Sequence, residues 1–197
     1  MSSLTSTGLV NLALREIGTY RIEDIDEASP EAEIARDVLE QTRRFCLSQH
    51  EWRFALRQVE LTASGVEPIG KWAYAYALPG DFIRLGLVAD RQDMAEPLEE
   101  FSLVGGELLS SSDHCFIEYV WDHDTYGAWP AHFVSFAVAV LASEMASPLK
   151  STTERERLEK LAEARLMHAR SVDSIHQPVL FRPTGSWLAV MRGARPR

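Results

Sequence analysis

From Trp129-Pro130 to Ser147-Pro148 the chain runs through Phe133, Phe136, Ala137, Val140 and Leu141 at helical spacing, and Val134, Val138 and Ala139 occupy the remaining sides. A helix that is apolar almost all round offers water no face and must be enclosed by other elements. Its apolar stretch, residues 133–145, is interrupted by Ser135, Ser143 and Glu144 and falls short of the roughly 18 residues that span a bilayer. The spacing therefore predicts a central core helix that stops at Ser147-Pro148. With 197 residues, 46% hydrophobic and 25% charged, the chain has material for one core and a smaller inserted module, not for a long multidomain enzyme.

Helices are the first candidates for the walls around it. Residues 4–17 place Val10, Ala13, Leu14 and Ile17 on one face, with Gly18 at the stopping position. After an acidic connector, Ser29 reads as an N-cap, Pro30 as the first helical residue, and Glu31 and Glu33 as favourable charges at the positive end of the helix dipole. From there Ile34, Val38, Thr42 and Phe45, flanked by Ala35, Leu39 and Cys46, predict an amphipathic helix that ends near His50. Beyond the core helix, Ser151 and Glu154 have capping-box spacing. Leu158, Leu161, Ala162, Leu166 and Ala169 then give one face of a surface helix.

Between these helices the period changes. Apolar runs shorten, alternation replaces the helical repeat, and strands are predicted over residues 56–61, 72–77, 82–89, 107–109 and 115–121. Leu78-Pro79-Gly80-Asp81 and Val104-Gly105-Gly106-Glu107 read as turns. Alternation in the last strand fits a half-buried antiparallel sheet. The expected fold class is α+β: a bundle of about four helices from residues 1–52 and 129–173, an inserted antiparallel β module over 53–128, and an extended C-terminal arm over 174–197.

All 29 acidic residues lie at or before Asp173, whereas four of the 20 basic residues, Arg182, Arg192, Arg195 and Arg197, follow it. The body to residue 173 thus carries −13 and the last stretch +4. An acidic body argues against wrapping nucleic acid, whose affinity comes mainly from neutralised phosphates. The last stretch has Pro178, Pro183, Pro196, Gly185 and Gly193, yet keeps Leu180, Phe181, Trp187, Leu188, Val190 and Met191. Two readings are open: an arm that orders against a partner, or a segment that packs back on its own body. The first makes Leu180, Phe181, Arg182, Trp187, Leu188, Arg192 and Arg195 the candidate contact residues. The N-terminal residues have neither the basic start nor the apolar run of a signal peptide, so folding in the cytoplasm is expected. Cys46 and Cys115 are then read as reduced, packed thiols.

The densest set of potential ligands and acid/base groups is Asp113-His114, Glu118 and Asp122-His123-Asp124. Asp122 and Asp124 would share a strand face, so a small metal-dependent enzyme using Asp122, His123 and Asp124 is one alternative. The bland reading is a solvated loop of charges. GxxxxGK[ST], GxGxxG and GxSxG loops do not occur, which removes the basis for nucleotide and serine-hydrolase readings. Trp52, Trp72, Trp121 and Trp129 are expected to form the seam between the β module and the helices. No metal or cofactor is expected.

The stretch Leu12-Ala13-Leu14-Arg15-Glu16-Ile17-Gly18, the acidic connector, the Ser29 start, Arg43, and Glu51-Trp52-Arg53-Phe54-Ala55 form an ordered series. It continues through Tyr76-Ala77-Leu78-Pro79-Gly80-Asp81-Phe82-Ile83-Arg84, Gly105-Gly106-Glu107-Leu108-Leu109, Ile117-Glu118-Tyr119-Val120, and Trp129-Pro130 with Phe133. Over residues 9–146 this series resembles the head-to-tail adaptors of short-tailed phages, the tail tubular protein A family. Long-tailed phages and phage-derived gene transfer agents also use adaptors at this position. The resemblance implies a structural protein with no catalytic residues, located in the neck of a virion or virus-like particle. It would form a ring, typically dodecameric, beneath the portal protein, with a stopper or tail/nozzle protein downstream. DNA would pass through the lumen without specific binding, and no membrane would be involved. The arm would clasp the portal. A stopper or tail-completion protein further down the neck is the remaining alternative. Residues 175–197 match no part of the family pattern.

Overall fold

A computed structural model describes residues 3–68 and 70–175. They form four α-helices, six strands and two short 3-10 turns, an α+β fold. Helices α1 (Ser6–Ile17) and α2 (Pro30–Ser48) come first, followed by a 3-10 turn at Arg53–Ala55. The strands are β1 (Leu56–Glu60), β2 (Tyr74–Ala77), β3 (Phe82–Ala89), β4 (Ser102–Val104), β5 (Glu107–Ser110) and β6 (Phe116–Trp121). A second 3-10 turn, Tyr126–Ala128, leads to α3 (Ala131–Leu149) and α4 (Thr152–Ile175).

The helix starts follow from local chemistry. Thr5 caps α1 by accepting from the Gly8 N–H, and Ser29 caps α2 by accepting from the Ala32 N–H. Gly18 takes the left-handed conformation, φ 75°, and closes α1 with N–H bonds to its last turn. Between them, Asn11 holds the connector by donating to the Ile22 carbonyl (2.9 Å) and accepting from the Ile22 N–H (2.8 Å). Ser151 accepts from the Glu154 N–H at 3.2 Å, as the capping-box spacing predicts for α4.

Helix α3 is the centre of the molecule. Eleven of its 19 residues are buried, and it packs against α1, α2 and, most extensively, α4. Contrary to expectation, the helix runs through Pro148 to Leu149. The Lys150 N–H closes the final turn on the Ala146 carbonyl (2.8 Å), and Pro148, one residue from the end, removes a single donor from the ladder. By length and composition this helix could cross a membrane; here its apolar sides face other helices.

Two further corrections concern a face and an end. The buried face of α2 is Ala32, Ala35, Thr42, Cys46 and Leu47, whereas Phe45 is 49% exposed. The buried positions of α2 are mostly small, and Phe45 lines the rim of a groove between α2 and α3. Helix α4 extends to Ile175, so Ser174 and Ile175 belong to it and not to the arm; the Ser174 hydroxyl donates to the Arg170 carbonyl (2.8 Å). The strands of the antiparallel β module make two three-stranded antiparallel sheets, β1-β6-β3 and β2-β5-β4. Strand β4 has three residues, too few to show alternation. The Gly105-Gly106 turn between β4 and β5 has φ of 63° and 85°, as glycine permits.

A core of buried residues joins the helices to the first sheet through Trp52, Ala55, Val120 and Trp129. A second, smaller core lies between the sheets, around Tyr76, Leu108, Ile117 and Tyr119. Trp52, Trp121 and Trp129 thus form the expected seam. Trp72 does not; it lies in neither core, beneath the Lys71 ammonium at 4.7 Å.

Candidate functional site

The candidate contact residues Leu180, Phe181, Arg182, Trp187, Leu188, Arg192 and Arg195 lie outside the described residues. What is described is the body from which that segment departs, and how its parts are locked together.

The locks are polar and sit at the seam between bundle and sheets. Arg43 on α2 donates from Nε and Nη2 to the two oxygens of Asp122, at 2.9 and 3.0 Å, and the two side chains are only 14% and 17% exposed. Burial works against the Arg43 cation, yet its hydrogen bonds to Asp122 hold its pKa above the ordinary value. Asp81, in the turn before β3, accepts from Arg57 (2.7 Å) and from the Tyr119 hydroxyl (3.0 Å), while its carbonyl accepts from the Asp122 N–H (2.8 Å). Arg57 also covers the Trp121 ring at 3.4 Å. Glu16 at the end of α1 accepts from Arg165 of α4 at 2.8 Å. The indole N–H groups of Trp52 and Trp129 donate to the carbonyls of Cys46 (2.9 Å) and His123 (3.2 Å).

The other sequence-predicted group does not converge. Both Asp122 oxygens are taken by Arg43. His123 is buried against Trp121, 4.3 Å between ring centroids, and burial lowers its pKa. Asp124 is exposed, His114 pairs with Glu60 at 3.1 Å, and Glu118 accepts from Gln58 at 2.8 Å. Among the described residues, no group of three or more His, Cys, Asp or Glu side chains is arranged to hold a metal ion. Cys46 and Cys115 are both buried free thiols; burial pushes Cys115 up to about 11 and Cys46 higher still. At neutral pH they are packing groups, since the thiolate is the reactive form.

One cluster went unseen in the sequence. Asp173, near the end of α4, lies between His50, after α2, and His132, in the first turn of α3. These residues are far apart in the chain, so no local spacing marks them. The available signal was weaker: a histidine in the first turn of an otherwise apolar helix, and the last acid in the chain. A groove of about 160 Å³ lies between α2 and α3, lined by Val38, Gln41, Thr42, Phe45, Val140 and Glu144. No protein-family model matches this chain, and no curated protein matches it either.

Proposed function

We propose that the chain is a structural head-to-tail adaptor that forms a ring beneath a portal and links a capsid to its tail. The observation that carries the reading is where the adaptor-like residues fall. Gly18 closes α1, Glu16 ties α1 to α4, Arg43 and Trp52 join α2 to the seam, Asp81 locks the strands, and Trp129 introduces α3. Residues that resemble the family in order of sequence thus serve as joints between the elements of the body. Such joints suit a protein whose work is to hold position under load.

Charge supports the same reading. A body of −13 lining a passage repels phosphates and lets DNA slide without adhering. Ring closure uses head-to-tail contacts between unlike surfaces, which a helical bundle with a laterally inserted β module supplies. The basic, apolar segment beyond α4 is the portal clasp in this reading.

Deleting residues 176–197 tests the clasp, because the cut falls after α4 and leaves every described helix and strand intact. The shortened chain is expected to fold with an unchanged thermal transition and to lose co-purification with the portal of its own particle. Undiminished capture would reject the clasp. Capture by a neck protein in place of the portal would favour the stopper reading.

A further inference from the structure

Helix α4 ends beside the C-terminal end of α2. Arg170 donates to the Gln49 carbonyl, and Asp173 lies 3.3 Å from His50 Nε2. Asp173 also faces His132 in the first turn of α3, so α2 and α3 run antiparallel from this point. Phe45, one turn before Gln49 and 49% exposed, is therefore at the near end of the groove between them, and Val38 and Glu144 are at its far end. Thr42 and Val140, both buried, form the floor.

The rim of this groove is acidic. Glu144 has a long contact with Arg155, 3.6 Å, whose Nε donates to Glu159 at 2.8 Å. Asp37 stands one turn before Gln41 on the same side of α2. The cations of α2 are engaged elsewhere: Arg36 donates to the carbonyls of Ile25 and Glu27, Arg43 holds Asp122, and Arg44 lies 3.8 Å from Asp122. The first apolar run after residue 175 is Val179-Leu180-Phe181, and Arg182 follows it, in a stretch that carries +4. Chain from Ile175 to Phe181 can reach about 20 Å, whereas the groove opens about one helical turn, ~5 Å, from the end of α4. An apolar cavity of about 150 Å³ admits a benzene ring, and this groove offers about 160 Å³.

We propose that residues 179–182 of the chain's own C-terminal segment occupy the α2/α3 groove in the free subunit, with the Phe181 ring over Thr42 and Val140 and the Arg182 guanidinium at Glu144. One ring and one exposed ion pair are weak partners by themselves. The tether makes the difference, because it holds the segment at an effective concentration on the order of millimolar, which favours the chain's own segment over that of a second copy. A contact this small opens far below the free energy of global unfolding. Removing the segment therefore leaves the thermal transition in place, and a competing partner can draw it out. The docking is a property of the isolated chain and holds whether or not the adaptor reading does.

Disulfide trapping in the full chain tests it. Leu180→Cys is paired either with Gln41→Cys at the groove or with Met167→Cys as a control, since Met167 is 68% exposed and lies as far from Ile175 along α4 as Gln41 does from Gln49 along α2. Both native thiols are buried. The groove pair is expected to close within one chain, at a rate independent of protein concentration and about ten-fold above the control. Glu144→Arg should slow closure, and adding Arg182→Glu should restore it. Val179→Cys is a second reporter should Leu180→Cys itself weaken docking. Closure between chains that rises with concentration would give the groove to a second copy and overturn the proposal. Equal rates for groove and control with both reporters, or a rate indifferent to Glu144→Arg, would overturn it as well. No portal enters the experiment, so its failure leaves the adaptor reading standing.

Discussion

Asp122 and Asp124 are two residues apart and chemically alike, but their surroundings give them opposite consequences. Removing the Asp122 carboxylate by Asp122→Ala strands the Arg43 guanidinium in a largely buried seam. An exposed pair is worth about 0–1 kcal/mol and breaking a buried one costs about 3–5 kcal/mol, so a loss of about 2 kcal/mol is expected. Asp124→Ala, on the exposed side, should stay within about 0.5 kcal/mol. Urea unfolding of the two variants checks this, and equal losses would remove Asp122 from the seam. The buried thiols carry a second expectation. Folding raises Cys115 from 9.0 to about 11, so the folded chain holds that proton longer than the unfolded one. Stability is therefore complete below pH 9.0 and falls as pH rises towards about 11. The Cys115→Ala variant should show a shallower fall over that interval in unfolding measured against pH. A slope equal to that of the parent chain would contradict the burial argument. The residue scale also marks where sequence reasoning stops: a spacing rule sees Asp122 and Asp124 on one face, but it cannot see Arg43 arriving from α2.

Helix starts and the core helix were legible because their signals are local. Ser29, Ser151 and Gly18 act within a turn of their own position, and the apolar circumference of α3 is written in consecutive residues. The face of α2 was misjudged because bulk was taken as the sign of burial, when Ala32 and Ala35 are fully buried and Phe45 is left half outside. Phe133→Ala is accordingly expected to cost about 3–5 kcal/mol, as loss of a fully buried ring does. Phe45→Ala should cost less than about 1 kcal/mol, since much of the transfer energy is already forgone. Chemical denaturation distinguishes them, and a Phe45→Ala loss as large as that of Phe133→Ala would show that its ring is covered. The split into two sheets was not legible, since it depends on Tyr74 pairing with Ser110 across more than thirty residues and on a three-residue edge strand. The same distance in sequence hides the meeting of His50, His132 and Asp173.

For the molecule as a whole, the class and order of parts follow from period changes along the chain: two helices, a β insert, two helices. The contact residues proposed for the partner lie beyond residue 175, outside the described residues, so the adaptor reading rests on the body and on charge. A body of −13 followed by a segment of +4 suits a subunit that repels DNA while gripping another component. Electron cryo-microscopy of the assembled particle that carries this chain is the direct test. The account predicts a ring of these subunits seated against the portal, with residues 176–197 in contact with portal density and acidic side chains facing the channel. A particle in which the chain occupies any other place, or whose neck lacks it altogether, would contradict it.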